Sequence, residues 1–436
     1  MITHQQKVER VARQLKERKS SKPVSLKKSS PPHQVPKPKD RRYLDEKIDV
    51  SDLNRIIDID KVNKTCTAEP GVTFFDLVRA TLRYGLVPIV VPELKTITIG
   101  GAVAGCSIES MSYKYGGFHD SCLEYEVITA KGEVLTCTPD NENSLVFQMV
   151  HGTFGTLGII SKLKFKLIPA KKYVQVKYEK YRTLEDYKRA IWKHYLNKDV
   201  DFMDRIIHSR RLYVLSVGNF VDKAPYTHNY DWMRVYYKST ARRKVDYLKT
   251  ADYFFRYDKG VTNVTPKSFL GRLILGKFVG STEILGWTEK FRKFIPSDKI
   301  PVTLDVFVPF SKSTEFMEWY RKEINFFPLW CVPYKIGRNY EWISEEIFEK
   351  TKDKLFLDIA IYGLKKRKGK NVYKIIEDKL TKIGGIKTLI AGNYYSEEDF
   401  WKTWNLQNYN TVKSRTDPEN IFRDLYVKTC KVMMGK

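Results

Sequence analysis

The stretch at residues 96–120, TITIGGAVAGCSIESMSYKYGGFHD, constrains this chain more than any other. Gly100, Gly101, Ala102, Ala104 and Gly105 are followed by a polar run and a second glycine pair, Gly116 and Gly117. Glycine loses more freedom on folding than any other residue, so a cluster needs a geometric reason: positive φ, or a close approach of backbone or ligand. Two readings fit. The amides here face a phosphate-bearing cofactor, or the stretch is a tight crossover between buried elements.

A chain of 436 residues is long for one core, and two domains are expected. The 42% hydrophobic fraction, with 13% aromatics, is ample for a globular fold. No apolar run reaches the roughly 18 residues of a membrane span, and the first twenty residues lack a signal-peptide core, which points to a cytoplasmic protein. Cys66, Cys106, Cys122, Cys137, Cys331 and Cys430 form no CxxC pair, which argues against a metal site and a disulfide framework. The net charge of +26 attracts polyanions, yet the lysines are spread along the chain and no nucleic-acid module is present. Nucleic acid is therefore not an expected partner. Peripheral adsorption to an anionic membrane is compatible with the charge, at about 1 kcal/mol per lysine near the surface.

Val8, Val11, Ala12 and Leu15 recur at helical spacing, so an amphipathic helix over 5–17 opens the chain. A short strand at 24–26 leads into KKSSPPHQVPKPKDRR, whose prolines at 31, 32, 36 and 38 forbid a helix. Lys28, Ser29, Ser30 and His33 in this loop suit an anion cradle or a solvated linker. Strand-like text follows, then a helix capped by Thr73 and Asp76, and LVPIVVPEL as a buried extended piece. YEVITAKGEVLTC reads as a hairpin, residues 145–150 as a helix, and SKLKFKLIPA as a half-buried strand. Between the last two, His151 precedes Gly152, Gly155 and Gly158, spaced by three. Neither GxGxxG after a strand nor GxxxxGK[ST] occurs, so a nucleotide would be held by another device.

Composition changes near residue 173. From there to about 390 the pattern is an antiparallel sheet with helices on one face, its inward side carrying Phe307, Trp330, Phe356, Tyr362 and Tyr394. In the tail, Ser396 caps a helix, and Tyr409 and Lys413 stand one turn apart on another.

AEPGVTFFDL, VPELKTITIGG, CSIESMSYKYGG, CTPDNENS, GTLGII and IPAKKYV together resemble the flavin-dependent oxidoreductases of the vanillyl-alcohol-oxidase type. FPLWCVP, LDIAIYG and EEDFWKTW resemble the Δ24-sterol reductases among them. The resemblance implies an α+β fold: a two-subdomain PCMH-type FAD-binding domain (1–172, with a C-terminal return at 393–436) and an α+β cap with an antiparallel sheet (173–392). It implies that Gly100, Gly101, Ser107, Ile108, Glu109 and Ser110 contact FAD, with Gly155, Gly158 and Ile159 around the ribityl chain and ring and Lys413 as a further cofactor contact. Ser29, Ser30 and His33 stand where many relatives have an Arg-Gly-Gly-His-Ser-like turn. No covalent flavin link is expected, since the chain lacks the surrounding patterns. In the cap, FFRYDKG at 254–260 keeps only Arg256 of a Tyr-His-Arg-His-like run.

The implied activity is reduction of a carbon–carbon double bond in a sterol or isoprenoid lipid, with NADPH as electron donor. Tyr409, Lys413 and His151 are the expected proton-handling residues, with Glu109 supporting. The alternative is an FAD-dependent oxidase or dehydrogenase of an alcohol or sugar-lipid, with Lys413 as base. A flavin-free protein holding anionic lipid or nucleic acid is a third reading; it predicts a colourless product.

Overall fold

The computed structural model of the protein describes residues 2–434 except 32, 34–36, 38, 39, 41, 231–234, 259, 261–300 and 368. Pro32, Pro36 and Pro38 of the first loop, and Lys259 of the 254–260 segment, lie outside the described residues.

The helix His4–Lys16 carries a capping box at Thr3 and Gln6 and buries Val8, Val11, Ala12 and Leu15, the stripe its spacing predicts. It is also clamped electrostatically. His4 sits between two carboxylates, Nε2 to Glu126 at 2.9 Å and Nδ1 to Glu69 at 3.0 Å. Those bonds raise its pKa from 6.5 to about 9. The sign follows: a raised histidine pKa stabilises fully below 6.5 and loses that contribution as pH rises through about 9. Amide exchange in His4–Lys16 is expected to quicken over that window, and His4→Gln should remove the pH dependence.

Strands β1 (Val24–Lys27) and β2 (Glu46–Asp49) pair in parallel. The next sheet takes β3 (Ile56–Asp60), β4 (Thr65–Ala68), β5 (Leu86–Pro88), β6 (Cys122–Ile128), β7 (Val134–Cys137) and β8 (Ile159–Pro169). Its order is β3-β4-β8-β6-β7, with β5 on β8. β8 is central because its eleven residues alternate between buried and accessible, so one face seats on the core while polar residues leave it.

The second sheet comprises β9 (Tyr173–Tyr181), β10 (Phe202–Ser209), β11 (Leu212–Val221), β12 (Val245–Lys249), β13 (Val302–Pro309), β14 (Leu329–Lys335), β15 (Leu355–Leu364) and β16 (Ile386–Lys387). Eight strands run antiparallel in the order β12-β9-β11-β10-β14-β15-β13-β16. The fold is thus mixed, with α+β character. KTLIAGNYY contributes only its first residue, Lys387, to the two-residue β16, not a full strand.

Alternation along the strands divides this sheet into two faces. Met203, Ile207, Leu304 and Ile359 pack against the helices Leu184–Asn197, Ser313–Glu323 and Val372–Ile383. Burying Phe316 and Met317 of the second helix contributes about 1.5–3 kcal/mol each. Phe202, Ile206, Trp330, Val332, Phe356 and Ala360 instead join the core of the first sheet, with Phe307 and Tyr362 packed against it. The expected inward aromatics therefore turn away from the helices and toward the glycine-rich half. Tyr394 departs from the expectation: it lies beyond β16 and stacks with Tyr373 on the helix-covered side.

No described helix is long and apolar enough to cross a membrane.

Candidate active site

The glycine stretch folds as a helix, Ile99–Ala104, capped by Thr98. This corrects the picture of bare amides: Gly100 N donates to Pro70 O at 3.0 Å, and Gly101 N to Thr98 Oγ1 at 3.2 Å. Gly100 is required sterically, because a Cβ there would lie 2.5 Å from the Pro70 Cβ. Gly101 differs. It is exposed, and its Cβ would meet only Thr98 Oγ1, at 3.1 Å. Gly101→Val should therefore leave the fold standing and strip the protein of flavin, read as flavin absorbance per protein after gel filtration. A yellow variant with unchanged FAD affinity would reduce the stretch to a packed turn.

The first loop does reach the glycine stretch. His33 Nε2 meets Thr96 Oγ1 at 3.0 Å, while its buried Nδ1 has no protein partner. Ser29 is exposed and Ser30 half-buried beside it. Lysines dominate this corner. Lys428 Nζ donates to Phe154 O at 2.7 Å and Lys37 Nζ to Thr429 O at 3.2 Å. Burial, then Arg42, Lys28 and Lys37, hold the Lys428 pKa well below its ordinary value. Burial and Arg42 also lower Lys37, to about 7. Lys28 is exposed, yet the protein around it and Arg42 lower its pKa too. Two carboxylates lie nearby, and both are engaged: Asp40 bonds Arg42, and Asp45 bonds Arg423. Lysines gathered this closely in a corner, three of them with lowered pKa, suit an anion, and a pyrophosphate has the charge to bind them. The residues present thus fit FAD, whose phosphates Lys28, Lys37, Arg42, Lys428 and His33 would hold.

On the other side of the helix the loop continues through positive-φ Cys106 (φ 52°) to Glu109 and Ser110. Ser107 and Ile108 are half-buried; Glu109 and Ser110 are buried. Ser110 docks the loop on the second sheet: its carbonyl accepts from Met203 N at 2.8 Å and its Oγ from Tyr253 OH at 3.3 Å. Glu109 meets Arg256 at 2.9 Å, and the same guanidinium nitrogen meets Asp204 of β10 at 3.1 Å. Tyr257 OH donates to Asp204 at 2.7 Å, and Tyr253 lies 4.1 Å beneath the guanidinium. Burial, opposed by Arg256, pushes the Glu109 pKa up to about 7. Glu93 is pushed up to about 8 by burial and by Glu109. Arg256, Asp204 and Glu93 were not among the expected site residues. The only sequence signal was the charged residue left inside an aromatic run, FFRY.

His151 is fully buried, its Nε2 2.8 Å from Tyr125 OH. It packs on Trp342 and His119 at 4.9 and 5.1 Å, and burial with His119 keeps it neutral. Gly155 has φ 71°, and a Cβ there would make only an ordinary contact with Gly158 O at 3.9 Å, whereas a Cβ on Gly158 would strike Val127 at 2.8 Å. Ile159 turns its side chain under the first helix, with Val8 and Leu15, so only its backbone faces the turn. Lys413 lies against that turn without a free proton position: its ammonium donates to Thr156 O at 2.9 Å, Asp417 at 2.6 Å and Phe422 O at 2.6 Å. Tyr409 OH accepts from Leu425 N at 3.0 Å. Among the described residues no group of three or more His, Cys, Asp or Glu side chains is arranged to hold a metal.

Residues 45–138 match the family described as FAD binding domain. The chain thus carries an FAD-binding domain. It is 26% identical to the Δ24-sterol reductase of Homo sapiens over 394 residues, covering 85% of this chain and 75% of the human protein. The Δ24-sterol reductase of Pisum sativum is 25% identical over 430 residues, covering 85% and 74%. A shorter similarity, 33% over 121 residues, links it to cytokinin dehydrogenase 7 of Oryza sativa, covering 26% of this chain and 23% of that protein. This FAD-linked oxidoreductase is thus distantly homologous to the Δ24-sterol reductases along most of its length.

Proposed function

We propose that this chain reduces a carbon–carbon double bond of a sterol or isoprenoid lipid, with NADPH as electron source. Residues 1–172 and 393–436 serve as its FAD-binding unit and 173–392 as its cap. The observation that carries the reading is the buried Glu109–Arg256–Asp204 group between the glycine loop and the eight-stranded sheet, in a chain similar over 85% of its length to Δ24-sterol reductases. Bound FAD supplies a hydride to one alkene carbon. An unactivated alkene takes hydride poorly unless an acid protonates the other carbon.

Two carboxyls are suited to that role. Glu93 holds a proton at neutral pH, and Arg256 fixes Glu109 beside it. Trp330, Phe356 and Tyr362 give the sheet face a dry, apolar lining, which strengthens charge interactions and excludes water. His151, neutral and wedged against Trp342, shapes this wall. Tyr409 and Lys413 position the turn at 153–158.

Anaerobic stopped-flow tests the reading. NADPH should bleach the bound flavin, and a Δ24-sterol should restore its colour without oxygen. Flavin bleached by an alcohol but not by NADPH would favour the oxidative alternative and overturn the reductase.

A further inference from the structure

A reaction that buries its acid must refill it. The cap carries a line of proton-bearing groups from its surface to Glu109. At the outer end His228, one-fifth exposed, meets the fully buried Asp246 at 2.5 Å. Arg243 also touches His228 Nδ1, at 3.1 Å. Tyr230 OH donates to the second Asp246 oxygen. Its ring stands edge-on to Tyr236 at 5.1 Å, and Tyr236 in turn packs on Tyr257 at 5.0 Å, whose hydroxyl reaches Asp204.

The middle of this line is built from unpartnered polar atoms. Sheet register places Tyr178, Ser216 and Asp204 in one row across β9, β11 and β10, all buried. Among the described residues Tyr178 OH, Ser216 Oγ, Tyr236 OH, Asp204 Oδ1 and Glu109 Oε2 have no hydrogen-bond partner. The hydroxyls of Tyr178 and Tyr236 lie close to each other. Buried polar groups in this number are costly unless bridged, and ordered water is what bridges them. Asp204 and Glu109 share one Arg256 nitrogen, which brings the two carboxylates together at the inner end of the line.

We propose that His228, Asp246, Tyr230, Tyr236 and Asp204 form a proton-entry route from solvent to Glu109, completed by bridging water. It rests on the reductase reading in that each alkene reduced consumes one proton. A solvent proton enters at His228, and each group along the line takes one proton and passes one on. The last is given to the alkene carbon that does not receive the hydride, and the hydride comes from the reduced flavin. No group on the route is consumed. Arg256 does not relay; it holds the two carboxylates together, and these residues act as positioning and relay groups rather than as catalytic residues.

Reduction of the bound flavin by reduced methyl viologen, an electron donor that releases no proton, tests this without any lipid, because the flavin takes up two electrons and one proton, drawn on this route through Glu109. A pH-indicator dye reports the proton and flavin absorbance the electrons. In the unmodified protein the two signals should coincide. In Tyr236→Phe, with flavin content and Tm retained, dye uptake should lag by roughly 10- to 100-fold. His228→Ala, at the surface, provides the second arm: uptake should slow and recover with added imidazole. Uptake in either variant that keeps pace with flavin bleaching, and no effect of imidazole, would overturn the route. If a Δ24-sterol fails to reoxidise the reduced flavin, the reductase reading falls, while the dye measurement still decides the route.

Discussion

Arg256→Met is expected to destabilise the protein by about 3–5 kcal/mol, the loss typical when one partner of a buried ion pair is removed. The side chain is 1% exposed, and it is the only group bonded to both Glu109 and Asp204 among the described residues. Removing it leaves two buried carboxylates facing each other without a counter-ion. Replacing the pair together, Glu109→Gln with Arg256→Met, removes one of the stranded charges and should recover part of the loss. A double-mutant cycle by denaturant unfolding measures the coupling, which should exceed 1 kcal/mol for groups in direct contact. A cycle that closes near zero would mean that the pair is screened. Flavin content is an independent check, since Glu109 belongs to the loop that begins at the glycine helix.

What could be read beforehand depended on sequence distance. The first helix, the hairpin of β6 and β7 and the helix Leu406–Thr416 depend on caps and periodicities confined to a few residues, and each appears where the pattern places it. The meaning of Gly100 was less accessible, because the atom that forbids a side chain there belongs to Pro70, thirty residues earlier. The two halves of the site were harder still. Arg256 and Glu109 are 147 residues apart, and Lys428 and Phe154 are 274 apart. Neither lysines 37 and 428 nor Asp204 carry a local signal, since a lysine in a +26 chain reads as solvated surface. Sheet register, which puts Asp204 and Trp330 on the same face, is fixed by pairing between distant strands, beyond the reach of periodicity within one.

Lys413 sharpens the same point, and its replacement gives the second large effect. Lys413→Met should lower stability by about 3–5 kcal/mol and weaken FAD retention together. Its ammonium ties the carbonyl of Thr156, the carboxylate of Asp417 and the carbonyl of Phe422 into one joint between the glycine turn and the C-terminal segment. Asp417, 1% exposed, would keep two backbone donors, from Ile421 and Phe422, but lose its counter-ion. With the joint gone, the turn at 153–158 loses its anchor, and the Phe154 carbonyl that receives Lys428 shifts with it. A catalytic amine would behave in the opposite way: turnover would collapse while Tm and flavin content stayed intact. Thermal unfolding and FAD titration of Lys413→Met separate the two roles, and a variant that is yellow, stable and inactive would return Lys413 to the reaction itself.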